Sequence, residues 1–128
     1  MPAKVFVLDD DSLRQYAAGV KTVVEFKVFM RLAEGRLTDV ERKALVDAVA
    51  AHPGAGDLIP GGGGARKLRW AVSGQGKSGG ARVVTYVHCD TCPVYLLFVY
   101  LKSERANLLQ SEIARFKTAC KELADVHE

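Results

Sequence analysis

The chain has 128 residues, of which 48% are hydrophobic and 26% charged, and its formal net charge is +3. These values are typical of one soluble globular domain with a modest core. No apolar run approaches the roughly 20 residues that span a bilayer, and "MPAKVFVLDDDS" has too short an apolar run and too acidic a flank for a signal peptide. Three cysteines, an odd number, do not make a disulfide framework. We therefore expect a cytoplasmic protein in a reducing compartment, without a membrane partner.

The positive charge is concentrated in the middle of the chain. Residues 61–105 carry seven Lys and Arg against two acidic residues, a net charge of +5, whereas the segments before and after each carry −1. A local excess of this kind indicates a polyanionic partner.

The N-terminal segment, residues 1–21, does not predict a single structure. "KVFVL" is compatible with an extra strand and "SLRQYAAG" with a helical turn, but the whole segment is equally compatible with a mobile extension. We treat it as an extension that precedes a domain at 22–128. A strand is predicted over "VKTVVEF" (20–26), at the beginning of that domain.

Two helices are predicted after this strand. Apolar residues recur at helical spacing over 26–33, and Gly35 can end the first helix. Thr38 and Glu41 form a capping box for the second helix, which "HPG" ends. The predicted apolar face of the second helix consists of Val40, Ala44, Leu45, Ala48 and Val49.

Three strands and a final helix complete the predicted domain. The strands are "RKLRWAV" (66–72), "ARVVTYVHC" (81–89) and "VYLLFVYL" (94–101), the last apolar throughout as in a central strand buried on both faces. The helix has the apolar positions Leu109, Ile113, Phe116, Cys120 and Leu123. Short connections favour antiparallel hairpins. We predict an α+β fold: a small antiparallel sheet flanked by helices, with the order β-α-α-β-β-β-α.

The sequence "GKS" at 76–78 has the form of the end of a phosphate-binding P-loop. The full motif requires glycine where this chain has Ala71, and it must join a strand to a helix. The segment after it is predicted as a strand, so we interpret the stretch as a basic hairpin loop.

Hairpin pairing brings basic side chains to one face of the predicted sheet. The predicted members are Lys67, Arg69, Arg82 and Tyr86, with Lys77 and Lys102 at the edges. Arginines bind phosphates in two-point fashion, lysine acts as a point charge, and a tyrosine ring can stack on a base. Cleavage of RNA requires, in addition, a base for the 2′-OH proton, stabilisation of the phosphorane and an acid for the leaving 5′-oxygen. A lysine among other cations is a candidate base, but composition by itself favours plain phosphate binding.

Cys89 and Cys92 form a C-x-x-C motif beside His88. A structural zinc site needs four ligands, and the remaining cysteine and histidines complement this motif poorly, so we predict a hairpin tip with no metal and no cofactor. No helix begins after the motif to favour redox chemistry. We interpret His88 as a strand-end residue and Trp70 as a core anchor.

The middle of the chain resembles the RelE/HigB toxins of type II toxin–antitoxin modules. The resemblance is carried by "GDLIPGGGGARKLRWAVSGQGKSGGARVVTYVH" and "VYLLFVYLKSE", extends over about 22–125, and is strongest to the HigB-like branch. It implies a metal-independent endoribonuclease that cleaves mRNA, commonly in the ribosomal A site. It also implies a cognate antitoxin, in this branch often with a helix-turn-helix domain.

The resemblance assigns roles to individual residues. Lys67 becomes the general-base candidate, and Arg69 and Arg82 bind or stabilise the phosphate. Further RNA contacts are expected from Arg66, Lys77, Tyr86, Lys102 and Arg105. Many relatives have a C-terminal tyrosine that stacks on the substrate base. "RANLLQSE" has none, so Tyr86 is considered as a substitute and the general acid is unassigned.

Two other functions compete with mRNA cleavage. A ParE-like inhibitor of gyrase shares the architecture but lacks the basic catalytic set, and the seven central cations argue against it. A degenerate relative would retain only RNA or antitoxin binding.

Overall fold

The computed structural model describes residues 4–7, 13–18, 21–74 and 79–127. These residues form one seven-stranded sheet with helices on both faces. The strands are β1 (Lys4–Val7), β2 (Leu13–Ala18), β3 (Lys21–Phe26), β4 (Asp57–Leu58), β5 (Arg66–Trp70), β6 (Ala81–Val87) and β7 (Val94–Leu101). The helices are α1 (Lys27–Ala33), α2 (Asp39–Ala51) and α3 (Gln110–Val126).

The spatial order of the sheet is β1-β2-β3-β7-β6-β5-β4. The predicted α+β class is confirmed, and β5, β6 and β7 form the expected antiparallel hairpins. The sheet is mixed because β3 pairs with β7 in parallel. A parallel pair needs a long crossover connection, and the two helices and three strands between β3 and β7 provide it.

The N-terminal segment contributes two strands to the edge of this sheet. Lys4–Val7 form β1, in agreement with one of the alternatives, whereas residues 13–18 form β2 and not a helical turn. β2 pairs antiparallel with β3 along its whole length.

The α2 helix begins at the predicted capping box. The Glu41 N–H donates to Thr38 Oγ1 at 3.1 Å and the Thr38 N–H donates to Glu41 Oε1 at 2.8 Å. The predicted apolar face is only partly right, because Leu45 and Val49 are buried but Val40 is 79% exposed.

A buried ion pair explains the different orientation of α2. The Arg42 guanidinium donates two hydrogen bonds, of 2.8 and 3.0 Å, to the carboxylate of the fully buried Glu25 on β3. Arg42 therefore occupies the core-facing stripe one turn before Val46. A pattern built from apolar residues alone began that stripe at Val40, where the structure has Arg42.

The sheet separates two hydrophobic cores. One lies between the sheet and α1 with α2, and includes Phe29, Leu45 and Leu96. The other lies between the sheet and α3, and includes Val84, Tyr95 and Phe116. Strand β7 contributes to both, as predicted for a central strand.

A β-bulge in β7 decides which of its side chains face α3. The register with β6 shifts between Val84 and Thr85, which leaves Leu97 without a partner. Leu97 and Phe98 consequently both pack in the α3-side core. Beyond the bulge, Tyr100 lies opposite Arg82 on that same face.

Candidate active site

Strands β5 and β6 bring three predicted basic residues to one face of the sheet. The Cα of Arg69 is opposite that of Arg82, and Lys67 is opposite Val84. Opposite residues of an antiparallel pair share a face, and residues two apart in a strand do as well. The α3 side of the sheet thus carries Lys67, Arg69 and Arg82. Leu68 and Trp70 pack against the other core, and the core position of Trp70 agrees with the prediction.

Arg82 is a buried arginine without a carboxylate partner. It is 8% exposed, and its Nη1 donates to the backbone carbonyls of Gly79 at 3.1 Å and of Ala81 at 3.2 Å. Within the described residues it forms no ion pair, in contrast to Arg42, which is paired with Glu25. A charge removed from water needs compensation, so the site around Arg82 is suited to an anion.

Arg105 reaches the same place from the turn that follows β7. Its Cζ lies 4.9 Å from the ring centroid of Tyr100 and 5.4 Å from that of Phe98, within the range of cation–π contacts. Its Nη2 also pairs with Glu112 Oε2 on α3 at 2.9 Å. We call Lys67, Arg69, Arg82 and Arg105 the basic cluster.

Lys67 also lines a cleft of about 550 Å³ at the edge of the basic cluster. The cleft lies between β4 and the loop before α3, and its lining includes Asp57 and Asn107. Asp57 is opposite Lys67 in the β4–β5 pair. A half-buried amine beside an open cleft is accessible to a bound polymer.

Comparison with known families identifies the chain. The family model described as RelE toxin of RelE / RelB toxin-antitoxin system matches residues 21–128. The chain belongs to the RelE toxin family. It is therefore a toxin of a toxin–antitoxin system, and it has a cognate antitoxin as partner.

The remaining residues predicted to bind RNA are dispersed in this RelE-family chain. Arg66 points to the face opposite Lys67, and its Nη1 donates to the Gly56 carbonyl at 3.0 Å. Lys102 follows β7 near Arg82 and donates through Nζ to the Ala106 carbonyl at 3.2 Å. Lys77 lies outside the described residues.

Tyr86 is placed differently from the expectation. It is 7% exposed and belongs to the α3-side core. Its ring is packed in this core, so little of it is open for a base to stack on. Tyr86 as a substitute for the family's stacking tyrosine stays a prediction that this burial does not favour, since residue spacing indicated the face of Tyr86 but not what covers that face.

A second polar cluster lies at the other end of β6. The Tyr86 hydroxyl is 3.2 Å from Nδ1 of His88, and the Tyr95 hydroxyl is 2.7 Å from Nε2 of His127. The two imidazoles stack with centroids 6.2 Å apart. We call these four residues the hairpin cluster. His127 was not predicted, because its partner Tyr95 is 32 positions away.

The turn between β6 and β7 is closed by a disulfide between Cys89 and Cys92, whose Cα atoms are 5.0 Å apart. The hairpin tip agrees with the prediction, but the disulfide does not, because an odd number of cysteines still allows one pair and leaves Cys120 free. Lys21 donates through Nζ to the carbonyls of Cys89 and Asp90 in this turn. Burial raises the pKa of the free thiol of Cys120 to about 11, so it stays protonated.

Neither metal ligands nor a membrane span was found in the part of the chain that the structure describes. No group of three or more His, Cys, Asp or Glu side chains is arranged to hold a metal ion. None of the described helices is both long and apolar enough to cross a bilayer.

Proposed function

We propose that this RelE-family toxin is an endoribonuclease that cleaves mRNA on the ribosome without a metal ion. The single observation that carries the proposal is Arg82, a buried guanidinium with no acidic partner among the described residues, opposite Arg69 and on the same face as Lys67. A phosphodiester supplies the negative charge that this arrangement lacks.

The proposed reaction is transesterification within the RNA. The Lys67 amine takes the proton of a ribose 2′-OH, and the 2′-oxygen then attacks the adjacent phosphorus. Arg69 and Arg82 stabilise the charge on the phosphorane oxygens. The bond to the 5′-oxygen breaks, and this oxygen takes up a proton from solvent. The products are a 2′,3′-cyclic phosphate and a 5′-hydroxyl end.

Neighbouring features of the chain support binding of a polymer. The cleft beside Lys67 can hold a nucleotide next to the scissile phosphate. Lys102 and Arg105 add further positive charge in the segment after β7, and Lys77, outside the described residues, stays a predicted RNA contact. We assign the toxin domain to residues 22–128 and the extension to 1–21, and we expect action in the cytoplasm and an antitoxin with a helix-turn-helix domain.

The proposal is tested by mapping the 5′ ends of cellular mRNA after a brief pulse of expression. We expect new ends in phase with codons, bearing 5′-hydroxyls, in cells with the wild-type chain. Lys67→Ala and Arg82→Ala should abolish these ends and restore growth. The matched control is Lys121→Ala, which removes an exposed cation of α3 whose Nζ pairs with Asp125 and should cleave like the wild type.

The other outcomes identify the competing functions. New mRNA 5′ ends that are not in phase with codons would indicate a ribosome-independent nuclease. DNA damage with intact mRNA would indicate a gyrase inhibitor. Full toxicity of both site variants would show that the assigned residues are not the active site.

A further inference from the structure

Among the residues whose side chains the structure describes, three tyrosines with buried rings lie on the α3 face of the sheet, and only one of them has an unpartnered hydroxyl. The hydroxyls of Tyr86 and Tyr95 are each paired with a histidine. Tyr100 is 3% exposed, and its hydroxyl has no hydrogen-bond partner in the described part of the chain. Buried polar groups are nearly always hydrogen-bonded, because leaving one unpaired lowers stability. The unpaired hydroxyl of Tyr100 therefore needs an explanation.

The surroundings of this hydroxyl are positively charged. Arg82 lies opposite Tyr100 in the β6–β7 pair, and the Arg105 guanidinium covers the Tyr100 ring. Burial raises the pKa of Tyr100, and the two arginines only partly oppose this. The hydroxyl consequently remains protonated at neutral pH and is a hydrogen-bond donor. A donor next to guanidinium groups is complementary to an anion.

Arg105 lies over the ring that carries the Tyr100 hydroxyl. Its guanidinium is held over the ring by the ion pair with Glu112 at 2.9 Å. An incoming phosphate can replace the Glu112 carboxylate as partner of Arg105. Movement of the Arg105 side chain toward the phosphate would uncover the hydroxyl.

We propose that the Tyr100 hydroxyl is a phosphate-binding group of the RNA site, uncovered when Arg105 exchanges Glu112 for the phosphate. This inference rests on the proposed function, since it takes the anion to be an RNA phosphodiester. Tyr100 then contributes one hydrogen bond to a non-bridging oxygen, beside the contacts from Arg82 and Arg105. The hydroxyl is then buried and unpaired in the free protein because its hydrogen-bond partner is the substrate phosphate.

The test compares Tyr100→Phe with the matched control Tyr95→Phe on the same strand. Each change removes one buried hydroxyl. We measure the thermal midpoint, the rate of mRNA cleavage in a translating extract, and the affinity for inorganic phosphate. Tyr100→Phe should leave the midpoint unchanged or higher, because it breaks no hydrogen bond within the protein. It should lower the cleavage rate and the phosphate affinity by about tenfold to a hundredfold, as expected for a lost hydrogen bond to a charged group.

Tyr95→Phe should show the reverse pattern, with a lower midpoint and unchanged cleavage, because it removes the bond to His127. A third variant, Glu112→Gln, keeps a side chain that can cap α3 but weakens the hold on Arg105. It should raise the phosphate affinity severalfold. A fall in that affinity would overturn the role of Arg105 as a cover.

The outcomes separate this inference from the proposed function. If the wild type cleaves mRNA and Tyr100→Phe cleaves and binds phosphate equally well, the inference is overturned and the proposed function stands. If the wild type does not cleave, the proposed function is overturned, and phosphate binding alone decides the role of Tyr100. Equal phosphate affinity of wild type and Tyr100→Phe would then reject a phosphate-binding role for the Tyr100 hydroxyl.

Discussion

The two ends of β6 carry polar clusters of opposite character on the same face of one sheet. In the hairpin cluster, each tyrosine hydroxyl is paired with a histidine, and a disulfide closes the adjoining turn. In the basic cluster, Arg82 is buried without a carboxylate and the nearby Tyr100 hydroxyl is unpaired among the described residues. The hydroxyls of the first cluster are paired within the protein, whereas for the second cluster we propose that an added anion supplies the missing partner.

This difference distinguishes a structural from a functional use of buried polar groups. Satisfied groups contribute to stability, and their removal should destabilise the fold without altering the chemistry. Unsatisfied groups lower stability and persist where function requires them. Substitutions at the two ends of β6 should therefore change stability and activity in different ways.

The largest effect is expected from Arg82→Met at the basic cluster. The cleavage rate should fall at least about 100-fold, equivalent to about 2.7 kcal/mol of transition-state stabilisation. The free energy of unfolding should be unchanged or higher, because an apolar side chain replaces a buried charge that has carbonyl partners but no carboxylate partner among the described residues. Cleavage assays and urea unfolding measure the two quantities. A variant that loses stability and activity in parallel would contradict the functional assignment of this end.

The next largest effect is expected from reduction of the Cys89–Cys92 disulfide at the hairpin. Opening so short a loop should lower the free energy of unfolding by about 2 kcal/mol. Cleavage should be unaffected, because the bond lies at the far end of β6 from Arg82. Urea unfolding with and without a reductant provides the measurement, and Cys89→Ser combined with Cys92→Ser should be insensitive to the reductant. A rate that depends on the reductant would show that the two ends are coupled.

A smaller effect is expected from His127→Ala in the hairpin cluster. It leaves the Tyr95 hydroxyl without its partner, which should lower the free energy of unfolding by about 1.5 kcal/mol. Adding Tyr95→Phe should restore part of the loss, because no unpaired hydroxyl then remains. The double-mutant cycle is measured by urea unfolding. Strict additivity of the two changes would argue against a hydrogen bond between these residues.

The smallest effect concerns Glu112, the carboxylate that holds Arg105. Partial burial raises the pKa of Glu112, but hydrogen bonds from Arg105 and the Leu109 N–H outweigh it and lower the pKa overall. The folded state thus binds this proton less readily than the unfolded state. The stabilisation is present above the ordinary glutamate pKa and is lost as the pH falls through the lower folded value.

We expect this contribution to be less than about 1 kcal/mol, as is usual for a partly exposed ion pair. It is measured as the difference in unfolding free energy between wild type and Glu112→Gln. The pH range runs from the ordinary pKa of glutamate down through the lower pKa of Glu112 in the folded state. The difference should shrink as the pH falls. A difference that stays constant with pH would show that the ion pair does not contribute.

Much of the fold could be predicted because local patterns act over a few residues. Strand β7 has the predicted bounds, and α2 begins at the predicted capping box. The inward position of Arg42 could not be predicted, because its partner Glu25 is 17 positions earlier in the chain. The strand at 13–18 was likewise not predicted, because a helical turn was expected there and the strand is defined by pairing with β3.

For the candidate site, the sequence by itself determined the alternation that puts Lys67 and Arg69 on one face, and the motifs that indicated the family. Only the tertiary structure decided that Arg82 lies opposite Arg69, that the bulge at Leu97 puts Tyr100 beside them, and that Tyr86 is covered. The physical reason is that periodicity follows from the geometry of a single strand. Register, burial and hydrogen-bond pairing depend on residues distant in the chain that meet only when the sheet and α3 assemble.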